Sequence, residues 1–469
     1  MAMLLPNNMA VRNTLETPVL EELAAREDLE VCFLTPSPDH AAKVTSASRE
    51  RFTWSDMGNP AGKSLPLSHG PAGVIWRRLA ERALMKPFRQ WAGWGNLVFR
   101  FNERAGFTGH RFKKKLPPER RERENLAGNY PDPRFGRPFP RSRFIYNLIY
   151  RLYHTTWYSE PAVEAFLDDY EPDLLVIHNV QNQAIRPWIS AARRRGLPML
   201  GIVGSWDQPT SKGPMPPGVE IFLVQSEFMK QELVEHHHIE PRRVKVTGWP
   251  QMDFYKMPGA IRPKPELAAE LGLSPSQDYV LFAGNSPRLG PHEPAVAQHI
   301  AKLVQRGDLG RECVLVLRPH PNDNQWRARF GGLRKPFQVL VLPPEAGRMD
   351  FLAALLSHAR LLVSTGGTIS LDAIALDTPV VNLGFDGDMN LEEHESIRTW
   401  FKAEHFMAII NSGSVRFVKS YQELDKAITD YWHNPAQDAA ARAKCRQDHL
   451  EPLDGCSSKR VVERISWEA

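Results

Sequence analysis

The chain has 469 residues, with 59 Lys/Arg against 54 Asp/Glu and a net charge of +5, enough material for two domains with real cores. Its four cysteines, Cys32, Cys313, Cys445 and Cys456, lie far apart and follow no metal spacing, which argues against a zinc site or a disulfide framework and for reduced thiols in a cytosolic protein. The opening MAMLLPNNMAVRN lacks the charged and long apolar regions of a secretory signal, and no apolar run approaches the roughly 20 residues of a membrane span. The expectation is a cytoplasmic protein, or one peripheral at the inner face of a membrane.

Taken in chain order, the first half predicts alternating strands and helices. A strand over Met3–Leu5 runs into the loop Pro6-Asn7-Asn8, a helix over Thr14–Arg26 follows, and Glu30–Leu34 is the next strand. The segment Trp76–Thr155 then departs from the rest, with 19 basic and 6 acidic residues, a local +13 that leaves the remainder of the chain at −8. It is also rich in aromatics. Three readings compete: a solvated insertion, a surface for anionic lipid or a lipid-linked acceptor, since basic-aromatic amphipathic segments sit well at headgroup depth, and nucleic-acid binding. No nucleic-acid module is recognisable there.

Beyond it, helix Glu160–Asp169 precedes strand Leu174–Ile177, which ends at His178-Asn179. Helix Arg186–Arg195, strand Met199–Val203, strand Val219–Val224, helix Glu227–Glu235 and strand Val244–Val246 complete this half. The alternation implies a parallel sheet with right-handed crossovers. The triplet His236-His237-His238 is not a metal site, because adjacent helical residues diverge by about 100°. Prolines near Pro258–Pro265 mark a linker. The expected domains are 1–257, with an insertion at about 76–155, then 258–440, and a helical tail over 441–469.

In the second half, strand Tyr279–Ala283 ends in Gly284-Asn285-Ser286-Pro287-Arg288. Helix Pro294–Gln305 follows, and strand Cys313–Leu317 ends in Arg318-Pro319-His320-Pro321. Strand Val339–Leu342 precedes the most informative stretch, Leu361–Phe385. There an apolar strand, Leu361–Val363, breaks into Ser364-Thr365-Gly366-Gly367-Thr368, a helix runs from Ile369 to Leu376, and Val380–Leu383 is again a strand. A glycine turn between a strand's carboxyl end and a helix presents unpaired N–H groups beside the positive end of the helix dipole, a ready phosphate site. Ser364, Thr365 and Thr368 offer hydroxyls, and Asp372, one turn into the helix, is placed to accept from a ribose hydroxyl. GNSPR, RPHP and STGGT all fall on one carboxyl edge, where open α/β sheets bind ligands. Arg288 and Arg318 suit diphosphate oxygens, because guanidinium forks grip phosphate bidentately.

These residues carry a resemblance. The second half resembles the nucleotide-sugar-binding half of GT-B glycosyltransferases, and most of all the group that contains CDP-glycerol glycerophosphotransferases and UDP-N-acetylglucosamine 2-epimerases. RPHP with His320 is similar to the histidine-proline motif of the former, and STGGTISLDAIALDTPVV to their Ser-rich loop, with an Asp where Asp372 stands. GNSPR resembles the arginine-bearing loop of the epimerases, and Asp454-Gly455-Cys456-Ser457-Ser458-Lys459-Arg460 the DGxSSxR ending of the superfamily. GSWDQPTSKGPMP, VQSEFMKQEL and VTGWPQMDF are similar to a surface-polysaccharide subgroup. The resemblance spans roughly Asp173–Arg464.

It implies an α/β, GT-B-like fold, with two Rossmann-like domains whose parallel sheets face a central cleft. The implied donor is a nucleotide-diphosphate sugar, acting as substrate rather than cofactor, and the implied acceptor is a glycan or a lipid-linked hydroxyl. No metal and no cofactor is expected, and the donor residues are Gly284, Ser286, Arg318, Ser364, Thr365, Gly366, Gly367, Thr368 and Asp372. His320 and Arg288 are the catalytic candidates on the donor side. Asp207 and His178, each after a first-half strand, are both candidates for the base, with Asp207 favoured by the resemblance. Lys212 either meets an acceptor phosphate or is a solvated loop lysine. Arg12 and Asn13 either approach the donor phosphates or form the first turn of the Thr14–Arg26 helix. The leading expectation is a glycosyltransferase of cell-surface glycan synthesis, such as a capsule. A glycerophosphotransferase-like or 2-epimerase-like enzyme, and a non-catalytic peripheral membrane scaffold, stand as alternatives.

Overall fold

The computed structural model describes residues 1–36, 52–57, 160–211, 215–287, 289–333, 338–344, 348–391, 396–401 and 403–468. The basic-aromatic segment, Lys212 and Arg288 lie outside them. Among the described residues the chain forms two compact units. The first takes residues up to Asp253 and again from Glu451, and the second takes Phe254 to Leu450.

The first unit is built on a seven-stranded sheet. Its strands are β1 (Ala2–Leu4), β2 (Cys32–Thr35), β3 (Thr53–Asp56), β4 (Leu175–His178), β5 (Met199–Ile202), β6 (Ile221–Val224) and β7 (Val244–Val246). Their order is β3-β2-β1-β4-β5-β6-β7, and every pairing is parallel. The central strands are buried along their whole length, AML in β1 and LVIH in β4. Strands covered on both faces read as unbroken apolar runs, which is why they stand out in the sequence.

The second unit holds six parallel strands: β8 (Tyr279–Ala283), β9 (Val314–Arg318), β10 (Val339–Val341), β11 (Leu361–Ser364), β12 (Val380–Leu383) and β13 (Val415–Val418). Their order is β10-β9-β8-β11-β12-β13. Phe282, Leu315, Leu361 and Val381 from the sheet pack with Ile300 and Val304 of helix Glu293–Arg306 and with Ile428 and Tyr431 of helix Tyr421–His433. The α/β class is thus seen as two parallel sheets, each packed against helices.

Several local expectations change. The single helix over Thr14–Arg26 is two helices, Asn8–Leu15 and Val19–Ala24. Asn7 caps the first, its side chain accepting from the Ala10 N–H at 2.9 Å, and Pro18 stands before the second. Helix nucleation at Asn7 therefore puts Arg12 and Asn13 in the second turn of this helix, rather than in the first turn of one beginning at Thr14. β3 and β13 were not anticipated. TWSD, partly exposed at the sheet edge, and VRFV, with an arginine inside it, lack the apolar continuity of the central strands.

The C-terminal motif has a local job. The helix Ser457–Glu468 packs in the first unit, and Asp253 caps it by accepting from the N–H groups of Ser457 at 2.9 Å and Ser458 at 2.6 Å. Such caps are worth about 1 kcal/mol. Arg460 grips Asp454 with two bonds of 2.8 Å and donates to the Thr247 carbonyl at 2.8 Å. That fork holds the Asp454 carboxyl down at about 2. Gly248, with φ +90°, leaves room for this latch, since a Cβ there would fall 2.3 Å from the Ser457 hydroxyl. The helix Ala439–His449, by contrast, lies in the second unit, so the stretch 441–469 is shared between the two.

Candidate functional site

The carboxyl edge of the second sheet carries the three expected loops on three adjacent strands, β9, β8 and β11. After β11, Gly366 (φ +81°) and Gly367 (φ +104°) turn the chain into the helix Thr368–Ala375, with Gly367 as its N-cap. The two glycines differ. A Cβ on Gly366 would lie 3.0 Å from the Phe401 ring and 3.2 Å from Phe406, whereas a Cβ on Gly367 meets nothing within 4 Å. Gly366 is thus small because an aromatic cluster covers it, and Gly367 faces open space at the first turn, where N–H groups lack intrahelical acceptors. Thr368, half-buried, opens that turn.

The hydroxyls next to this turn face inward. Ser364 Oγ donates to Asn382 Oδ1 at 3.1 Å and accepts from the Gly366 N–H at 3.3 Å. Thr365 Oγ1 donates to Glu293 Oε1 at 2.5 Å. Asp372 is buried, and its Oδ1 accepts from the Tyr255 hydroxyl at 2.9 Å. These three residues shape the turn from within, and the backbone of Gly367 and Thr368 is the part that faces outward.

On the neighbouring loops, Gly284 follows β8 and donates its N–H to the Arg318 carbonyl at 2.9 Å. Ser286 folds the loop by accepting from the N–H groups of both Leu289 and Gly290 at 2.9 Å. Arg318, half-buried, ends β9. His320, also half-buried, accepts the Asn322 N–H on Nδ1 at 3.1 Å. A ring that accepts on Nδ1 carries its proton on Nε2 when neutral. Burial, with the Arg318 charge second, lowers its pKa. The residue is therefore a neutral imidazole that presents an Nε2–H donor at neutral pH.

In the first unit, His178 ends β4 and is buried, with Nδ1 lacking a hydrogen-bond partner. Burial, helped by the Arg12 charge, lowers its pKa to about 4. Arg12 donates to Asn13 Oδ1 from Nε at 3.1 Å and from a terminal nitrogen at 2.9 Å, so these two and His178 form one group near the β1 and β4 ends. Asp207 sits half-buried in the turn Ser205–Asp207 after β5, ahead of the short helix Gln208–Ser211. Gln208 braces that turn, accepting from the Gly204 N–H at 2.8 Å and donating to Asn179. His237 holds the following loop: its Nε2 lies 2.6 Å from the Pro209 carbonyl, and its Nδ1 accepts the Met215 N–H at 3.2 Å. Within the histidine triplet, His237 ends a helix and His238 turns left-handed at φ +55°. No cluster of three or more His, Cys, Asp or Glu able to hold a metal occurs among the described residues.

Residues 217–467 match the sequence model of the CDP-glycerol:poly(glycerophosphate) glycerophosphotransferase family, more than half of the chain. The chain belongs to that family. A curated relative is the chloroplastic monogalactosyldiacylglycerol synthase 1 of Arabidopsis thaliana, 23% identical over 199 residues, which is 42% of this chain and 34% of that protein. The chain thus spans about a third of the length of that relative. Among solved structures, the UDP co-structure of S. aureus MnaA is similar at a TM-score of 0.55 and 10% identity, covering 99% of this chain and 95% of that one. The UDP-GlcNAc 2-epimerase of Neisseria meningitidis bound to UDP-GlcNAc follows at 0.53 and 14%, covering 99% of both. A glycosyltransferase of Rickettsia africae has a TM-score of 0.50 at 10% identity, covering 100% of this chain and 97% of that one. These likenesses establish the GT-B-like fold, and the family match places the chain among glycerophosphotransferase-like proteins.

Sequence reading missed Glu293, Arg329, Asp323, Tyr255 and the Phe401 cluster. A signal for Glu293 was present in Gly284 and Gly290. Neither glycine has a positive φ, and both lie against that carboxyl group.

Proposed function

We propose that the protein moves a sugar from a nucleotide-diphosphate donor to a hydroxyl acceptor in cell-surface glycan synthesis. The observation that carries this reading is the Gly366-Gly367 turn, whose second glycine faces open space at a helix N-terminus on the same sheet edge as Arg318 and His320, with β8 between them. Backbone N–H groups and the helix dipole favour a diphosphate there. Arg318 and the sequence-assigned Arg288 supply positive charge, and the His320 Nε2–H donates to a phosphate oxygen. In the reaction the acceptor oxygen bonds to the sugar's anomeric carbon as the bond from that carbon to the diphosphate breaks. The acceptor's proton passes to a base, and the nucleoside diphosphate leaves with its charge stabilised. Asp207 is the proposed base and His178 the next candidate. Lys212, Arg12 and Asn13 are the further candidates from the first unit, Lys212 toward an acceptor phosphate and Arg12 and Asn13 toward the donor phosphates. The reading includes no metal and no cofactor.

Two known structures of similar fold contain UDP or UDP-GlcNAc, which supports UDP-sugars as first donors to try. The acceptor is proposed to be a glycan or a lipid-linked hydroxyl at the inner face of a membrane. No helix among the described residues is long and apolar enough to cross one.

The family match favours a second reading, glycerophosphoryl transfer, in which the diphosphate bond itself is cleaved. Leaving groups separate the two. Incubation with a mixture of nucleotide sugars and CDP-glycerol, in the presence of membrane extract as acceptor, should release nucleoside diphosphate under the first reading and nucleoside monophosphate under the second. Isomerised sugar with no acceptor product would instead reveal a 2-epimerase, and an unchanged mixture would leave the scaffold alternative.

A further inference from the structure

Glu293, the first residue of helix Glu293–Arg306, has no solvent exposure. Its Oε1 accepts from the Asn285 N–H at 2.8 Å, in the loop after β8, and from the Thr365 hydroxyl at 2.5 Å, in the loop after β11. Its Oε2 faces Arg329 Nη2 at 3.2 Å. Arg329 in turn donates to the Gly290 carbonyl at 2.5 Å and to Asp323, which is fully buried just beyond the histidine of RPHP. Asp323 also donates its N–H to the His320 carbonyl at 2.8 Å. One carboxylate therefore joins three loops at the ends of three adjacent strands.

The chain makes room for it. A Cβ on Gly290 would sit 2.3–2.6 Å from the Glu293 carboxyl atoms, and one on Gly284 would sit 3.3 Å from Oε2. Three donors and no acceptor converge on the group, which selects its ionised form. Burial works against that: although the Thr365 hydroxyl, Arg329 and the Asn285 N–H all pull the pKa down, burial outweighs them and leaves it raised to about 7. The other titratable neighbours are Asp323, through Arg329, and His292, whose pKa burial lowers to about 4.

We propose that Glu293 is a positioning residue that holds the Gly366-Gly367 turn and the His320 loop in register for one diphosphate. The inference rests on the donor reading of this edge. Glu293 touches no donor atom and acts through Asn285, Thr365 and Arg329.

The test compares full-length parent, Glu293→Ala, Glu293→Gln and Thr365→Val by hydrogen exchange with mass spectrometry and by UDP binding. Glu293→Ala should raise exchange together in peptides containing Asn285, Gly366 and Asp323. Thr365→Val should raise it only around Gly366. Glu293→Gln keeps an oxygen for Asn285 and Thr365 but sets an amide against Arg329, so it should loosen only the peptide containing Asp323. UDP affinity should fall about tenfold or more in Glu293→Ala and by clearly less in Glu293→Gln, as expected for loss of charge-assisted bonds. Exchange that rises only in helix Glu293–Arg306, or evenly through the protein, would overturn the proposal. So would UDP affinity that falls only as far as thermal stability does. If Glu293→Ala does not fold, the segmental contrast between Glu293→Gln and Thr365→Val decides. A parent that binds no UDP counts against the donor reading, while the exchange pattern still decides whether Glu293 couples the loops.

Discussion

The hydroxyl of Tyr255 donates to the carboxylate of Asp372 at 2.9 Å, joining residues 117 positions apart within the second unit. The bond fixes one oxygen of a buried acid in the second turn of the helix behind the glycine turn. If Asp372 receives a ribose hydroxyl, Tyr255 orients it. Tyr255→Phe should destabilise the protein by about 1–3 kcal/mol, the cost of a lost buried bond. It should also weaken UDP binding and leave inorganic pyrophosphate, which has no ribose, unaffected. Equal losses for both ligands in calorimetric titrations would remove Asp372 from the ribose site.

The two glycines should respond differently. Gly366→Ala drives a methyl group to 3.0 Å from Phe401 at a positive φ, so it should lower stability and nucleotide affinity together. Gly367→Val points into open space and carries mainly backbone strain, about 1–3 kcal/mol for such a conformation. It should leave a folded protein that no longer binds UDP. Thermal melts with and without UDP distinguish the two patterns, and a Gly367→Val protein still stabilised by UDP would take the turn out of the site.

His320 should act as a neutral donor. Its pKa lies below the usual value of 6.5, because burial disfavours the charged ring, so the neutral form predominates at neutral pH and above. Replacing it with Ala should slow donor cleavage by about 10²-fold or more, the range of a lost catalytic hydrogen-bond donor. The pH profile above 6.5 should keep its shape in the variant. A limb near pH 7 that vanishes in His320→Ala would show that the imidazole titrates during turnover.

Three buried histidines predict how stability depends on pH. His178, His237 and His292 have pKa values lowered by burial to about 4, 3 and 4. Between those values and the unfolded value near 6.5, the native state binds fewer protons than the unfolded one. Stability therefore rises with pH through this window and is lost as pH falls through it. Each group contributes up to about 1.4 kcal/mol per pH unit. His292 isolates the effect, because both its ring nitrogens are buried without hydrogen-bond partners. His292→Leu should be near neutral at pH 7 and more stable than the parent at pH 5, measured by urea denaturation at both. Equal effects at the two pH values would show that His292 is not a buried neutral ring.

The basic-aromatic segment makes a prediction from sequence alone. If it engages anionic lipid, Lys113→Glu, Lys114→Glu and Lys115→Glu together should weaken sedimentation with acidic vesicles, leave UDP affinity intact, and lessen the response to salt. Each charge near such a surface is worth about 1 kcal/mol and is screened as salt rises. No association of the parent at low salt would favour a solvated insertion.

The strands and the glycine turn were legible because buried parallel strands are unbroken apolar runs, and a turn between strand and helix must be punctuated by glycine. Leu361–Leu383 states both. The inner wiring was not legible. Glu293 reads like any acid in a helix's first turn, favourable to the dipole and usually solvated. Nothing local in Tyr255 points to Asp372, since their contact exists only once the strands between them are stacked. The early helix was misplaced for a local reason: Asn7 looked like a loop residue, and it is one, but it is also the cap that starts the helix at Asn8. Ser364 and Thr365 looked like phosphate donors by position, yet their hydroxyls turn inward to Asn382 and Glu293.

The return of the chain at Glu451 has a consequence for the newborn protein. Among the described residues the second unit is one stretch from Phe254 to Leu450, available once that stretch has left the ribosome. The first unit is not. Asp253 waits for the amides of Ser457 and Ser458, and Thr247 waits for Arg460. At synthesis speeds of about 5–20 residues per second, the roughly 200 intervening residues take roughly 10–40 seconds to appear. Through that interval the first unit's sheet lacks its closing helix, so the second unit, though made after most of the first, has its described sequence complete before the first unit does.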